Sequence, residues 1–311
     1  MRVAYFVQTH RAPDQVLRLV ATLRGGSPGA LLLVGHDPTG PPLDGRALAA
    51  LGADLFHPAE PPRRGYWSLF APWVEAVERL DRAGAAYDWL VYLSGQDYPV
   101  LPLAASEAAL AAGGHDGYVT WVDAAGPSPE GRRRQGRLRY LYRYRDLPRA
   151  ARLLGLLRRA NGVQPWWHVH LTYGPRLGLR ARHTPFGPHL RPMWGSQWTT
   201  LSRLAAECVA EAARGPLADW FAATVCPDEA FAQTVLAGDP RCPFRLANDN
   251  LRFVDVRGSR DGHPRSLGIA DGPALLAGGY AFARKIDPAA DPDLRDWLDE
   301  QAPHTPHRPS P

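Results

Sequence analysis

Residues 89–99 read Trp89-Leu90-Val91-Tyr92-Leu93-Ser94-Gly95-Gln96-Asp97-Tyr98-Pro99. The apolar run is too short for a helix and stops at a Ser-Gly turn, so it reads as a buried strand that delivers an acid to its carboxyl end. Working outward, the same pattern occurs at 2–8 and again at 30–35, where Gly35 is followed by His36 and Asp37. Further strand-like runs lie at 117–122, 197–201 and 251–256. Helical periodicity fills the gaps: residues 13–24 open on Pro-Asp and repeat apolar positions at Val16, Leu19, Val20 and Leu23, and 67–82, 104–112, 203–213 and 228–237 read alike. Strands alternating with helices predict an α/β fold, with a mixed, mostly parallel central sheet flanked by helices. One domain is expected over 1–300, followed by a disordered Pro-rich tail at 301–311. Ligands of such sheets bind beyond the carboxyl ends of the strands, which makes Asp37 and Asp97 candidate site residues. Neither GxGxxG nor GxxxxGK[ST] occurs, so dinucleotide and P-loop readings lack their phosphate cradle.

The composition, 45% hydrophobic and 22% charged over 311 residues, is that of a soluble globular protein. No run approaches the roughly 18 apolar residues of a membrane span. The first residues enter a strand-like run directly, so no signal peptide is expected. Three cysteines (Cys208, Cys226, Cys242) with no CxxC pair argue against a disulfide framework or a zinc site. Reduced thiols and a cytoplasmic location are expected. The net charge of +5 suggests an acidic partner, and of 36 basic residues other than histidine only Lys285 is lysine. A compact ammonium surviving where every other such cation is a planar guanidinium marks Lys285 as a candidate functional group.

An acidic pair, Asp228-Glu229, opens the helical pattern at 228–237. Acids at a helix start complement its dipole, which needs no function. The functional alternative is that Glu229 faces a cleft as a general base. Downstream, Arg265 and Lys285 could meet negative charge developing on a leaving group, the first as a fork and the second as a point charge. The only Asp-x-Asp, Asp291-Pro292-Asp293, sits in a Pro-rich stretch unsuited to a metal.

The segments YFVQTH with GHD, YWSLF, YLSGQDYP, WGSQWTTLSR, PDEAFAQTVL, GHPRSL and FARKID follow one another from residue 5 to 287. In that order they resemble glycosyltransferase family 14, the core-2/I-branching β-1,6-N-acetylglucosaminyltransferases and peptide xylosyltransferases, here as a bacterial-type member. The resemblance implies a GT-A, Rossmann-like fold. It also implies inverting, metal-independent transfer of a sugar, N-acetylglucosamine or xylose, from a UDP-sugar to a hydroxyl acceptor. By the same resemblance Glu229 is the base, Arg265 and Lys285 bind the pyrophosphate, Asp37 touches the uridine or ribose, and Gln8 lies near the uracil. The resemblance also puts Phe253 near the acceptor, with Arg143 or Tyr144, while Asp97 by its place at the sheet edge and Trp198 by its aromatic face are further candidate donor or acceptor contacts. The family's animal enzymes are disulfide-bonded and membrane-anchored, and neither feature is expected here.

Residues 132–159 carry eleven arginines and a single acid, Asp146. They suggest an alternative protein that binds nucleic acid or an anionic surface, although no nucleic-acid signature accompanies them. Residues 147–160 read as a basic amphipathic helix, either packing its leucines on the core or lying at an inner membrane face. A metal-dependent transferase with an unrecognised site is a second alternative. His168 and His170 share a strand face, with His183 and His189 beyond, but zinc needs three or four ordered ligands. Trp194 and Trp198 are core aromatics or sugar-stacking faces.

Overall fold

The computed structural model describes residues 1–126, 130–257 and 264–302, apart from the side chains of 130–133. Its centre is a seven-stranded sheet. Strands β1 (Val3–Thr9), β2 (Leu31–His36), β3 (Ala53–Phe56) and β4 (Trp89–Ser94) run parallel in the spatial order β4-β1-β2-β3. Thr200–Ser202 pairs antiparallel with β4, Gly117–Tyr118 antiparallel with Thr200–Ser202, and Leu246–Ala247 parallel with Gly117–Tyr118. One strand therefore runs against the other six, and the expected mixed, mostly parallel sheet is the fold observed.

Period-two alternation explains the two cores. On one face Val3, Tyr5, Val7, Leu32, Val34 and Val91 pack on α1 (Pro13–Gly26) through Val16, Leu19, Val20 and Leu23. On the other face Ala4, Phe6, Leu33, Leu90 and Tyr92 pack beneath the helix Ala71–Arg82 and its Trp73, Val77 and Leu80. Both faces of β1, β2 and β4 are dry, as their nearly continuous apolar runs require.

The order of the sheet also positions the site. The chain moves from β1 to β2 to β3 in one direction, then returns to lay β4 on the other flank of β1. The reversal falls at the carboxyl ends of β1 and β4, where sheets of this kind take their ligands. The two ends are drawn close: the Gly95 N–H donates to the Gln8 carbonyl at 2.9 Å, and a Cβ at Gly95 would meet Thr9 Oγ1 at 2.7 Å. Only glycine fits there.

Several expectations need correction. The run 117–122 is two short strands, Gly117–Tyr118 in the central sheet and Val122–Asp123 paired with Met193–Trp194. Residues 251–256 do not join the central sheet. Instead Arg252–Val254 forms a small sheet with Phe282–Arg284 and Tyr98–Pro99. The helix expected at 228–237 breaks at Ala230 into a 3₁₀ turn, Pro227–Glu229, and a helix, Phe231–Ala237. The helix expected over 147–160 is three pieces, Pro148–Ala150, Ala151–Leu157 and Arg158–Ala160. It does not pack all its leucines on the core, because Leu154 is buried while Leu153 and Leu156 are exposed. The tail does not begin at 301: Gln301 ends the helix Leu294–Gln301, and Ala302 is buried. Residues 303–311 lie outside those described.

The small sheet is joined to the central one through charge. Asp97 is fully buried; its Oδ1 lies 3.2 Å from Arg284 Nε, and its Oδ2 lies 3.9 Å from Arg252 Nε and accepts from the Ser94 N–H at 3.0 Å. Arg252 also donates to the carbonyls of Asn250 and Tyr92, both at 2.5 Å. Burial pushes the Asp97 carboxyl up and both guanidiniums down, Arg252 to about 10. A guanidinium keeps its proton inside a protein, so the triad stands as one carboxylate between two cations. Asp97→Asn should cost about 3–5 kcal/mol, because it leaves two buried cations uncompensated. Urea unfolding of the variant measures this. A loss below about 1 kcal/mol would mean that the triad holds nothing together.

Candidate active site

The loops at the carboxyl ends of β1 and β2 interlock. The Asp37 N–H donates to the Thr9 carbonyl at 2.9 Å, the Gly40 N–H to the Asp37 carbonyl at 3.0 Å, and a Cβ at Gly40 would strike the His10 carbonyl oxygen at 2.3 Å. Asp37 is buried, and its Oδ1 accepts from the Thr39 N–H at 2.9 Å and the Thr39 hydroxyl at 2.7 Å. His10 stands among charges. Burial holds its imidazole below the ordinary value, Arg11, His36 and Lys285 lower it further, and Asp37 opposes them. Asp37 and Lys285, 248 positions apart in sequence, therefore both act on His10. Sequence reasoning misses His10, although its place immediately after a strand's carboxyl end is the signal that could have found it.

Lys285 is placed by the Asp97 triad. It follows Arg284 in sequence, its carbonyl accepts from the Leu267 N–H at 2.9 Å, and the next residue, Ile286, donates to the Gln96 carbonyl at 2.9 Å. Arg265 is its backbone neighbour, the Lys285 N–H donating to the Arg265 carbonyl at 3.5 Å. The Arg265 guanidinium is already bound: Nε donates to Asp255 at 2.7 Å, and Nη1 and Nη2 donate to Asp271 at 2.9 and 2.5 Å. Pairing with Arg257 and Arg265 holds Asp255 well below the usual carboxylate range. An anion at Arg265 must compete with two carboxylates, which the sequence could not reveal. His263 of the GHPRSL motif lies outside the described residues.

Gln8, on β1, is buried with its side chain committed: Nε2 donates to the Leu69 carbonyl at 3.0 Å, and Oε1 accepts from the Tyr92 hydroxyl. Gln197 Nε2 donates to the same hydroxyl at 2.7 Å. Trp198 lies against Tyr92, with ring centroids 4.8 Å apart, and under the Arg284 guanidinium at 4.2 Å. The 194–198 segment reaches onward to the acidic pair, since the Gly195 N–H donates to the Glu229 carbonyl at 2.7 Å and Gln233 Nε2 to the Ser196 carbonyl at 2.5 Å.

At that pair the two carboxyls differ. Glu229 is partly exposed and its Oε2 accepts from Arg139 Nη1, whose guanidinium lies 5.2 Å from the Trp194 ring centroid. Burial works against the charge on Arg139, yet Cys226, Tyr140 and Glu229 together hold it well above its ordinary value. Asp228 is buried, has no hydrogen-bond partner at Oδ1, and is pushed up to about 8, first by burial and then by the charge on Glu229. Of the two carboxyls, Asp228 is the buried one and Glu229 the one paired with a cation. In the sequence Arg139 is one arginine among many in 132–159, and only the fold brings it to Glu229.

The remaining candidates are engaged elsewhere. Arg143 donates to the Trp220 carbonyl at 2.8 Å and covers that ring at 4.9 Å. The buried Tyr144 hydroxyl donates to the Leu138 carbonyl at 2.8 Å and lies 2.9 Å from His168 Nδ1. Phe253 packs edge-on against Tyr280. Asp291 of the Asp-x-Asp accepts backbone N–H bonds from Ile269, Asp293 and Leu294 at 2.7–3.2 Å, so its oxygens serve the chain itself. Among the described residues no group of three or more His, Cys, Asp or Glu gathers as a metal site.

No curated protein matches the chain. Among solved structures it is similar to glucosyl-3-phosphoglycerate synthase from Mycobacterium tuberculosis in complex with Mn2+, UDP and glucosyl-3-phosphoglycerate, at 14% identity and TM-score 0.31 over 65% of this chain. The match spans 57% of that enzyme, little more than half its length. It is similar also to 2-C-methyl-D-erythritol 4-phosphate cytidylyltransferase from Thermus thermophilus, at 16% identity and TM-score 0.35 over 90% of this chain and 99% of that one. A family model described as Core-2/I-Branching enzyme matches residues 179–273, which contain the 194–198 segment, the Asp228-Glu229 pair and Arg265. Over those residues the chain is similar to the family that its motifs resemble, Core-2/I-Branching enzyme.

Proposed function

We propose that the chain transfers a sugar, N-acetylglucosamine or xylose, from a UDP-sugar to a hydroxyl acceptor, with inversion and without a metal. The observation that supports the reading is that Asp37 follows the carboxyl end of β2, bonded to Thr9 at the end of β1, while Lys285 follows Arg284 of the Asp97 triad. Behind them the Asp97 triad leaves one buried positive charge in excess, which favours an anion at the sheet edge. The acceptor oxygen attacks the anomeric carbon as Glu229 takes its proton. The bond from that carbon to the diphosphate breaks, its electron pair passes to the phosphate oxygen, and the configuration inverts. Arg139 fixes the carboxylate through Oε2 and leaves Oε1 for the acceptor. Lys285 and Arg265 meet the charge that grows on the departing UDP. Asp37 holds the ribose or uridine, Gln8 shapes the floor beneath the base, and Asp97 acts through Arg284. The fold is read as one GT-A domain over 1–300, working in the cytoplasm.

Glu229→Gln should leave UDP affinity nearly unchanged and lower turnover by about 10²–10⁴-fold, because the carboxylate acts on the acceptor proton alone. Transfer at the wild-type rate would reduce Glu229 to a turn residue.

Lys285→Ala should weaken UDP binding in EDTA by about tenfold or more, and added manganese should not restore it. Calorimetric titration of UDP reads this directly. Unchanged affinity, or rescue by manganese, would remove the metal-free mechanism.

Asp228 makes a prediction in pH. A carboxyl raised on folding contributes stability that is complete below its unfolded value near 3.8 and is lost as pH climbs to about 8. The melting temperature of Asp228→Asn should therefore gain on wild type across that window and run parallel above it. Parallel curves throughout would show that Asp228 is ionised in the fold.

A further inference from the structure

Ten large apolar side chains are exposed among the described residues, and six of them (Leu147, Leu153, Leu156, Val163, Trp166 and Leu179) fall within about a tenth of the sequence. Scattered exposed apolar groups are ordinary, whereas a concentration marks a surface that meets something. From Leu147 to Leu190 the chain contains seven arginines and no acid. Arg149, Arg152, Arg158, Arg159, Arg180 and Arg182 are exposed, and Arg176 is buried.

The stretch is firmly built. Strands Tyr142–Asp146, Arg176–Arg180 and Trp167–His170 form an antiparallel sheet with Arg176–Arg180 in the middle. The seven-residue helix Ala151–Leu157 is too short to hold by itself. Leu154 anchors it from the inside, and the Asn161 amide clamps the Val169 backbone by two bonds of 2.8 and 2.9 Å. Leu153 and Leu156 lie one turn apart on a face directed away from Leu154. Trp166 adjoins the middle strand, its carbonyl accepting from the Arg180 N–H at 2.8 Å. Through Tyr142 and Tyr144 the sheet packs on Val225 and Cys226, beside the acidic pair.

We propose that this surface, residues 147–182, seats the protein on an anionic lipid bilayer. Exposed leucine, valine and tryptophan interspersed along the chain with exposed arginines match a headgroup layer in which apolar tips enter the acyl boundary and arginines fork onto phosphates. Nucleic acid would satisfy the arginines but offer nothing to Leu153, Leu156 and Val163. A second copy of the chain would cover the leucines but oppose arginine to arginine.

The test is co-sedimentation of the full chain with vesicles of phosphatidylcholine alone and of phosphatidylcholine mixed with phosphatidylglycerol. Binding to the anionic vesicles should be about tenfold stronger or more, and should fall as salt screens the arginines. The triple variants L153S/L156S/W166S and R149Q/R152Q/R159Q should each lose about tenfold in binding. A blue shift of tryptophan emission on anionic vesicles, absent in Trp166→Phe, reads the same contact in a chain altered at a single site. Equal binding to both vesicle types, binding to neither, or no Trp166-dependent shift would overturn the proposal. Self-association abolished by the leucine variant without lipid binding would give the face to a second copy. DNA binding undiminished by that variant, again without lipid binding, would give it to nucleic acid. UDP titration without vesicles reads the transferase reading separately.

Discussion

Asp97 sits where no water reaches, between two guanidiniums, and the placement of the site follows from that arrangement. Three charges in a dry interior are costly and persist only when each is held. Here the Ser94 backbone, the carbonyls of Tyr92 and Asn250 and the face of Trp198 do the holding. The consequence is positional. The carboxyl end of β4 is locked to the strands 252–254 and 282–284, so the residue after Arg284 must emerge at that edge. Lys285 takes its place from the charge pair that its neighbour Arg284 makes with Asp97. Charge as well as position is inherited: one carboxylate against two cations leaves the edge positive, and in low dielectric such an excess acts over several ångströms.

A second, uncharged relay joins this edge to the acidic pair. It runs from Gln8 through the Tyr92 hydroxyl to Gln197, then along 194–198 to the Glu229 carbonyl and to Gln233. Each member is a side-chain amide, a phenol or a backbone group whose partner is fixed by burial. The two halves of the candidate site are thereby held at one spacing, which reactions between bound partners require.

The parallel core was legible because each strand of 89–94, 2–8 and 30–35 is buried on both faces and reads as an apolar run. Ala53–Phe56 was not, since four residues at a sheet edge with one exposed side chain carry little pattern. The antiparallel sheet at 142–180 was hidden by its arginines. Tyr142 and Tyr144 alternate inward as a strand should, but the charges between them read as a binding stretch. At 226–231 the periodicity was sound and the break at Ala230 invisible, because alanine is a good helix former and gives no signal of a turn. The candidate site residues divided along the same line. Lys285, Glu229 and Asp37 stand out by type and place. Arg139, His10 and the carboxylates that occupy Arg265 depend on contacts between distant segments, and one sequence does not record them.

The break at Ala230 has a chemical consequence. In a continuous helix Asp228 and Glu229 would project about 100° apart from one exposed first turn and share one environment. In the 3₁₀ turn, entered through the left-handed Cys226, Asp228 is driven inward and Glu229 outward. Two adjacent acids then meet opposite conditions. One is dehydrated without a partner at Oδ1, which pushes its carboxyl up, while the other meets Arg139 at the surface. Arg139 is thereby matched one to one with Glu229 rather than divided between two carboxylates. Were both ionised at that separation, their repulsion would spread them or draw in a second cation. In the proposed reaction, a carboxylate with a single fixed partner would present one oxygen in one direction to the incoming hydroxyl.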